Sequence, residues 1–453
     1  MTKTARRTFL KAATVTSVGY MVAAGNQKAI SQSPNERPGV ACIGIGGKGD
    51  SDSNNAAQFG NIIAICDIDK GRLQGKLKGD RFKDAKSYLD FRELLTKHEK
   101  EIEIVTISTP DHMHAPATLM AMNMGKHCYT QKPMTRTIYE ARMMSETAQK
   151  TGVCTQMGNQ GSALPTGRWA IEQLKNGVLG KTKEVWVWSN RPVWPQGPNR
   201  VNTIAKFRAD AQKSGVTGAD LDALVAEQQK TVNKGTENID WDLWLGVAPK
   251  REYWPGIYHS FSWRSWWDFG TGALGDMACH MLTVPFEGVN LRNPVSVKAK
   301  TTGHDFDSFP ESSIIEFQFA ETEKNPAFKF HWYDRNGNKP PQEIFDAWDI
   351  KPKNSGVLII GEKGAFYSSD DYCGHAEFKK VEPSSAVPKN EGNFDVNNMK
   401  ELFDAVDKKD QRFTKSNFID RGGPLTETIL LGNFAVWAAY KGGGEGKMME
   451  DWG

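Results

Sequence analysis

Short apolar runs alternate with amphipathic stretches over residues 39–160, at the spacing of strand–helix–strand units. Residues 39–45 form an apolar strand ending in glycines, and 62–66 form a second, closed by Asp67. Residues 70–78 and 91–98 pattern as helices. Residues 102–108 are almost all apolar, as a strand covered on both faces would be. A helix over 115–124 stops at Gly125, then a short strand (127–130), a helix (138–150) and a strand (153–157) follow. This pattern predicts a doubly wound α/β domain of the Rossmann kind over 39–160.

The pattern changes after residue 160. Residues 166–176 look helical, and 183–189 alternate as a strand would, Val185 and Val187 against Trp186 and Trp188. Residues 200–238 read as an insertion, polar, rich in Ala, Gln and Lys, and helical over 205–231. Residues 241–267 are rich in aromatics. Strands over 295–301, 312–319, 327–332 and 356–360 predict an antiparallel or mixed sheet, and helices over 397–408 and 425–440 close a second domain, 161–453.

Composition is that of a folded globular chain, 25% charged and 39% hydrophobic. The net charge of +3 owes itself to Lys3, Arg6, Arg7, Lys11 and Lys28, which no acid accompanies. The rest is near neutral, so no nucleic-acid partner is expected. Arg6-Arg7-Thr8-Phe9-Leu10-Lys11 precedes a weakly apolar stretch ending at Ala23-Ala24, too short to span a bilayer. That is the pattern of a twin-arginine export signal over 1–30, followed by a linker over 31–38, and it predicts a periplasmic or secreted protein without stable membrane insertion. The six cysteines lack metal-type spacing and are expected to be free thiols.

Four motifs carry chemistry. Gly44, Gly46, Gly47 and Gly49 follow the first strand, where glycines let backbone N–H groups approach a pyrophosphate. Asp67 ends the second strand, placed to accept hydrogen bonds from adenosine ribose hydroxyls, which favours NAD; Lys48 and Lys70 leave NADP open. Thr109, Pro110, His112 and His114 lie at the end of the third apolar strand, where open sheets bind ligands. The two histidines lack partners for a metal site and are expected to line the dinucleotide cleft or cap the next helix. Gln131-Lys132-Pro133 follows the next strand, so that Lys132 can stabilise charge on a reacting oxygen; the proline is a candidate for a cis bond. Asp276 and His280 would share a helix face, the carboxylate orienting the imidazole and moving its pKa toward neutrality for acid–base work.

Together with Gly125-Lys126-His127, Met157-Gly158-Asn159-Gln160, residues 240–246 and Trp263-Arg264, these motifs resemble the Gfo/Idh/MocA oxidoreductases. The resemblance implies a Rossmann domain, a C-terminal α/β domain with a large open sheet, a homo-oligomer, and hydride transfer between a sugar carbinol carbon and a nicotinamide. It assigns catalysis to Lys132, Asp276 and His280, the cofactor to the glycine turn, Asp67, the 109–114 loop and Gln131, and a carbohydrate substrate to Asn159, Trp263 and Arg264. The family usually has Glu where this chain has Gln131. Trp186, Trp188, Trp194, Trp254, Trp263, Trp266 and Trp267 are candidates for sugar stacking or for core. Free NAD is scarce outside the cytoplasm, so export favours a tightly held cofactor recycled within a redox-neutral cycle. NAD-dependent glycosidases resembling the family use such a cycle, oxidation at C3 acidifying the C2 proton. A dehydrogenase consuming free NAD is one alternative, and a non-catalytic dinucleotide- or sugar-binding protein another, against which Lys132, Asp276 and His280 together argue.

Overall fold

A computed structural model describes residues 37–198 and 200–441. The expected export signal and all but the end of the expected linker lie outside these residues. Two sheets organise the described chain, which forms one compact unit from Pro38 onward. The first contains six parallel strands: β1 (Gly39–Ile43), β2 (Asn61–Cys66), β3 (Lys86–Tyr88), β4 (Ile104–Ile107), β5 (His127–Gln131) and β6 (Thr155–Gly158). Their order is β3-β2-β1-β4-β5-β6, so the chain reverses direction of winding between β1 and β4. Outside that switch point the flanking loops diverge and open a cleft at the carboxyl ends of the strands.

The second sheet has seven strands: β7 (Thr182–Trp188), β8 (Ser296–Thr301), β9 (Ser313–Phe319), β10 (Phe328–Tyr333), β11 (Gly356–Gly361), β12 (Ala365–Ser368) and β13 (Glu377–Lys379). Its order is β13-β12-β11-β7-β10-β9-β8, mixed because β7 and β10 run parallel while the other pairs are antiparallel. Alternation on β7 sorts its side chains: Val185 and Val187 join the main core with Phe317, Phe330 and helix Gly423–Ala438, while Trp186 and Trp188 pack with Phe345, Leu358 and Tyr367 on the other face.

Predicted elements and observed ones agree to within a few residues at their ends. β3, β12 and β13 were not expected, being three or four residues long and lacking a full period of alternation. The insertion is a helical pair, Ile204–Lys213 and Gly218–Lys234, whose apolar side chains Phe207 and Val232 join a cluster of Trp244, Trp254, Tyr258, Trp266 and Phe269. All six cysteines are buried and free. Among the described residues no helix is long and apolar enough to cross a membrane, and no cluster of ligating side chains could hold a metal ion.

Candidate active site

The carboxyl ends of β1, β2, β4 and β5 line a cleft of about 910 Å³ that runs on to helix Gly272–Met281. Gly44, Gly46, Gly47, Asp67, Thr109, Pro110, His114 and Gln131 line one half; Lys132, Trp263, Arg264, Asp276 and His280 line the other. The first half suits a dinucleotide. Helix Lys48–Ala56 begins at Gly47, φ 55°, with no side-chain cap. Gly49 N and Asp50 N donate back to Gly46 O and Gly47 O, and the positive end of the helix faces the cleft, where an anion is favoured. Asp67 is 6% exposed; its Oδ2 accepts from Ile45 N at 3.0 Å and its Oδ1 from Asp69 N at 3.0 Å. These bonds aim the carboxylate while leaving lone pairs for ribose hydroxyls. Burial raises the Asp67 pKa, opposed by the Asp69 amide and by Arg72, whose guanidinium lies 4.0 Å away.

Beneath this half sits a carboxylate that sequence reasoning missed. Asp52, buried on helix Lys48–Ala56, accepts from Gln131 Nε2 at 2.8 Å and from Ser108 Oγ at 2.7 Å, and pairs with Lys48 Nζ at 3.2 Å. The negative charge that the family resemblance would place at position 131 stands one side chain deeper. Its signal was the departure at Gln131 itself, which calls for a compensating acid on a neighbouring element.

In the second half, Lys132 follows β5 through a cis Lys132–Pro133 bond. Its ammonium donates to Asp276 Oδ1 at 3.0 Å and to the Asp276 carbonyl. Arg264 Nε donates to the same Oδ1 at 3.1 Å, and its guanidinium lies 4.2 Å from the centre of the Trp263 ring. Burial alone would raise the Asp276 pKa, but Lys132 and Arg264 hold it far below the ordinary carboxylate range.

Contrary to expectation, Asp276 does not hold the imidazole. His280 Nδ1 lies 3.0 Å from Asn159 Oδ1, and Asn159 Nδ2 donates to Thr283 Oγ1, whose hydroxyl hydrogen goes to Cys279 O at 3.5 Å, so that Thr283 accepts from the amide. Nδ1 therefore carries the hydrogen and Nε2 the lone pair. Burial, then the charge on Lys132, push the His280 pKa well below its usual value, so the ring is neutral, which corrects the expected shift toward neutral pH. The two cations claim the carboxylate because a charge-assisted bond is stronger than one to a neutral ring. Asn159 is accordingly a buried positioning residue, corrected from a substrate contact.

Other candidates also moved. His112 does not line the cleft: its ring packs between Trp244 and Phe269, and Nε2 donates to Trp244 O at 2.9 Å. Gly49 packs against the Gly44 carbonyl, close enough to exclude a Cβ, and closes helix onto strand. His114 sits between Thr109 O and Pro133 O, each 2.8 Å from a ring nitrogen, and its one N–H donates to one of these carbonyls of the β4 and β5 loops. Of the seven candidate tryptophans Trp194 and Trp263 line the cleft, joined there by Trp244; Trp186 stacks on His331. Tyr372, missed because 330–390 gave no motif, lines the cleft with its ring 4.6 Å from that of His280. Asp111 accepts from Thr271 Oγ1 at 2.7 Å, joining the β4 loop to the start of helix Gly272–Met281.

Residues 39–159 match the oxidoreductase family's NAD-binding Rossmann fold, and residues 209–324 match that family's C-terminal alpha/beta domain. A glycosyl hydrolase family 109 protein of Shewanella sp. (strain ANA-3) is 34% identical over 207 residues, 39% of this chain and 44% of that protein. The match thus spans less than half of that relative's length. The WlbA dehydrogenase from Bordetella pertussis, solved with NADH and UDP-GlcNAcA, superposes with a TM-score of 0.58 at 14% identity, covering 90% of this chain and 98% of that one. An inositol dehydrogenase homolog from Azotobacter vinelandii, solved with NADH and myo-inositol, gives 0.55 at 14% identity, over 90% and 97% of the two chains. At that identity both likenesses speak for the fold alone.

Proposed function

The chain belongs to the Gfo/Idh/MocA oxidoreductase family, and from that premise we propose that it oxidises a secondary hydroxyl of a sugar, polyol or glycoside with a retained NAD. The convergence of Lys132, Asp276 and His280 on the wall of one cleft, beside a dinucleotide cradle, carries this reading. A bound dinucleotide supplies the hydride acceptor and, on return, the hydride donor. His280 Nε2 takes the hydroxyl proton as the carbinol carbon is oxidised, its ring held by Asn159. Lys132 Nζ stabilises the charge developing on the oxygen, and Asp276 holds that ammonium in place. Trp263 and Arg264 supply a face and a charge for the sugar.

The basic N-terminus supports export by the twin-arginine route to the periplasm or beyond, and with it a cofactor loaded before transport and recycled without net consumption. A homo-oligomer belongs to the same reading. The Shewanella relative favours a second one, in which oxidation, elimination of the aglycone, addition of water to the unsaturated ketone and re-reduction make the net reaction glycoside hydrolysis.

The test is to denature the purified protein and assay released NAD(H) and NADP(H), then score a glycoside panel for both NADH formation and aglycone release. Stoichiometric NAD with sugar-dependent reduction supports the first reading, and aglycone release without net NADH the second. A protein that neither carries nor binds a dinucleotide would sink both.

A further inference from the structure

Residues 240–246 resemble a family motif, yet neither they nor their neighbours in the stretch 238–247 belong to the catalytic set. Its backbone is fastened at two places. At one end Lys70 N donates to Asn238 O at 3.1 Å and Asp240 N to Ile68 O at 3.1 Å, with Asp69 and Ile239 paired as an antiparallel bridge. These residues follow directly on Asp67 at the end of β2. At the other end Trp244 O accepts from His112 Nε2 at 2.9 Å, and Gly246, φ 53°, lies so close to Met113 that a Cβ would collide with its sulfur. Those two residues follow β4. Between them the short helix Trp241–Leu245 is capped by Asp240, whose side chain accepts from Leu243 N at 3.0 Å.

β1 lies between β2 and β4 in the sheet, and the glycine turn follows β1. A segment fastened beyond β2 and beyond β4 therefore crosses that turn, and Asp242, Leu243, Trp244, Gly246 and Val247 line the cleft. The strands it joins are about 10 Å apart, a span that a single turn of helix and its flanks bridge. We propose that 238–247 is a strap over the dinucleotide site, and that its two anchors set how slowly the cofactor leaves. His112 then serves the cofactor at one remove, by holding Trp244 rather than by touching the ligand. Burial pushes the His112 pKa down to about 4, so the ring stays neutral and its Nε2–H remains a donor at any working pH.

The proposal rests on the dinucleotide reading given above, and the experiment separates the two. NADH off-rates are measured on the full chain by fluorescence after displacement with excess NAD, for the wild type, His112→Phe and Gly246→Ala. His112→Phe keeps an aromatic ring between Trp244 and Phe269 but removes the donor; Gly246→Ala forces the strap off Met113. The expected result is an off-rate raised about tenfold in each, the scale of one lost hydrogen-bonded anchor. If either variant fails to fold by circular dichroism, Asp240→Ala, which uncaps the strap's helix beside its first anchor and lies outside the cleft lining, is read instead. Unchanged off-rates in folded variants overturn the strap and leave the dinucleotide reading standing. A wild-type protein that binds no dinucleotide overturns both.

Discussion

Gln131 Nε2 donates a 2.8 Å hydrogen bond to Asp52 Oδ2, so a neutral amide at the end of β5 rests on a buried carboxylate from the first helix. Charge and amide should then be exchangeable only together. Gln131→Glu places two buried carboxylates in contact, and one of them must take a proton. The expected cost is about 1–3 kcal/mol of stability, with weakened NADH binding. Asp52→Asn combined with Gln131→Glu should recover part of that loss, a favourable coupling readable in a double-mutant cycle of urea midpoints. Additive losses would show that the pair does not act as a unit.

Asn159 supports His280 without reaching the substrate. Asn159→Ala leaves the imidazole free to turn, and kcat should fall about 10- to 100-fold. The Kd for NADH should stay unchanged, since no dinucleotide-lining group is touched. Asn159→Asp keeps an acceptor for Nδ1–H but adds a negative charge, which raises the His280 pKa. The acid limb of kcat/KM should therefore move to higher pH in that variant. An unmoved limb would count against the Asn159–His280 contact governing the base.

Trp188 tests the division between core and sugar site. It is fully buried on the outer side of β7, its Nε1 donating to Lys353 O at 3.0 Å. Trp188→Ala should cost about 3–5 kcal/mol of stability. The KM of the protein that still folds should not change, because the side chain faces away from the cleft. A raised KM at full stability would return the β7 tryptophans to the list of sugar contacts.

Much of this was legible in residue order. Strand ends in a parallel sheet are sequence-local, so Gly44, Asp67 and Lys132 could each be placed from the run that precedes them. Pairings across the chain were not. Asp276 and His280 are four residues apart on one helix, and their spacing suggested mutual contact. The partners that decide their chemistry, Arg264 with Lys132 and Asn159 respectively, come from other elements whose approach no periodicity encodes. His112 misled for a related reason. Its place after β4 is a cleft position, but a side chain's direction depends on what packs against it, and here Trp244 and Phe269 enclose the ring. Asp52 left no mark of its own, because a polar helix position looks solvent-facing until a second element covers it.

In the proposed reaction Lys132 acts on both the oxygen and the base, and its removal should show in two measurements. Loss of the ammonium in Lys132→Gln removes stabilisation of the developing oxyanion, so kcat/KM should fall about 10²- to 10⁴-fold. The pH dependence should change as well. His280 works as a base only when neutral, so activity is lost as pH falls through its pKa. In the wild type burial, and after it the charge on Lys132, hold that pKa well below 6.5, which puts the acid limb at low pH. Taking the positive charge away favours the imidazolium, raises the pKa and brings the acid limb up toward 6.5. His280→Ala should abolish turnover and remove the acid limb from whatever activity remains, while NADH binding persists in both variants. Profiles of kcat/KM between pH 4 and 8, with fluorescence titrations of NADH alongside, read both effects. A Lys132→Gln enzyme whose acid limb stays where the wild type has it would mean that the two side chains do not share the reacting centre.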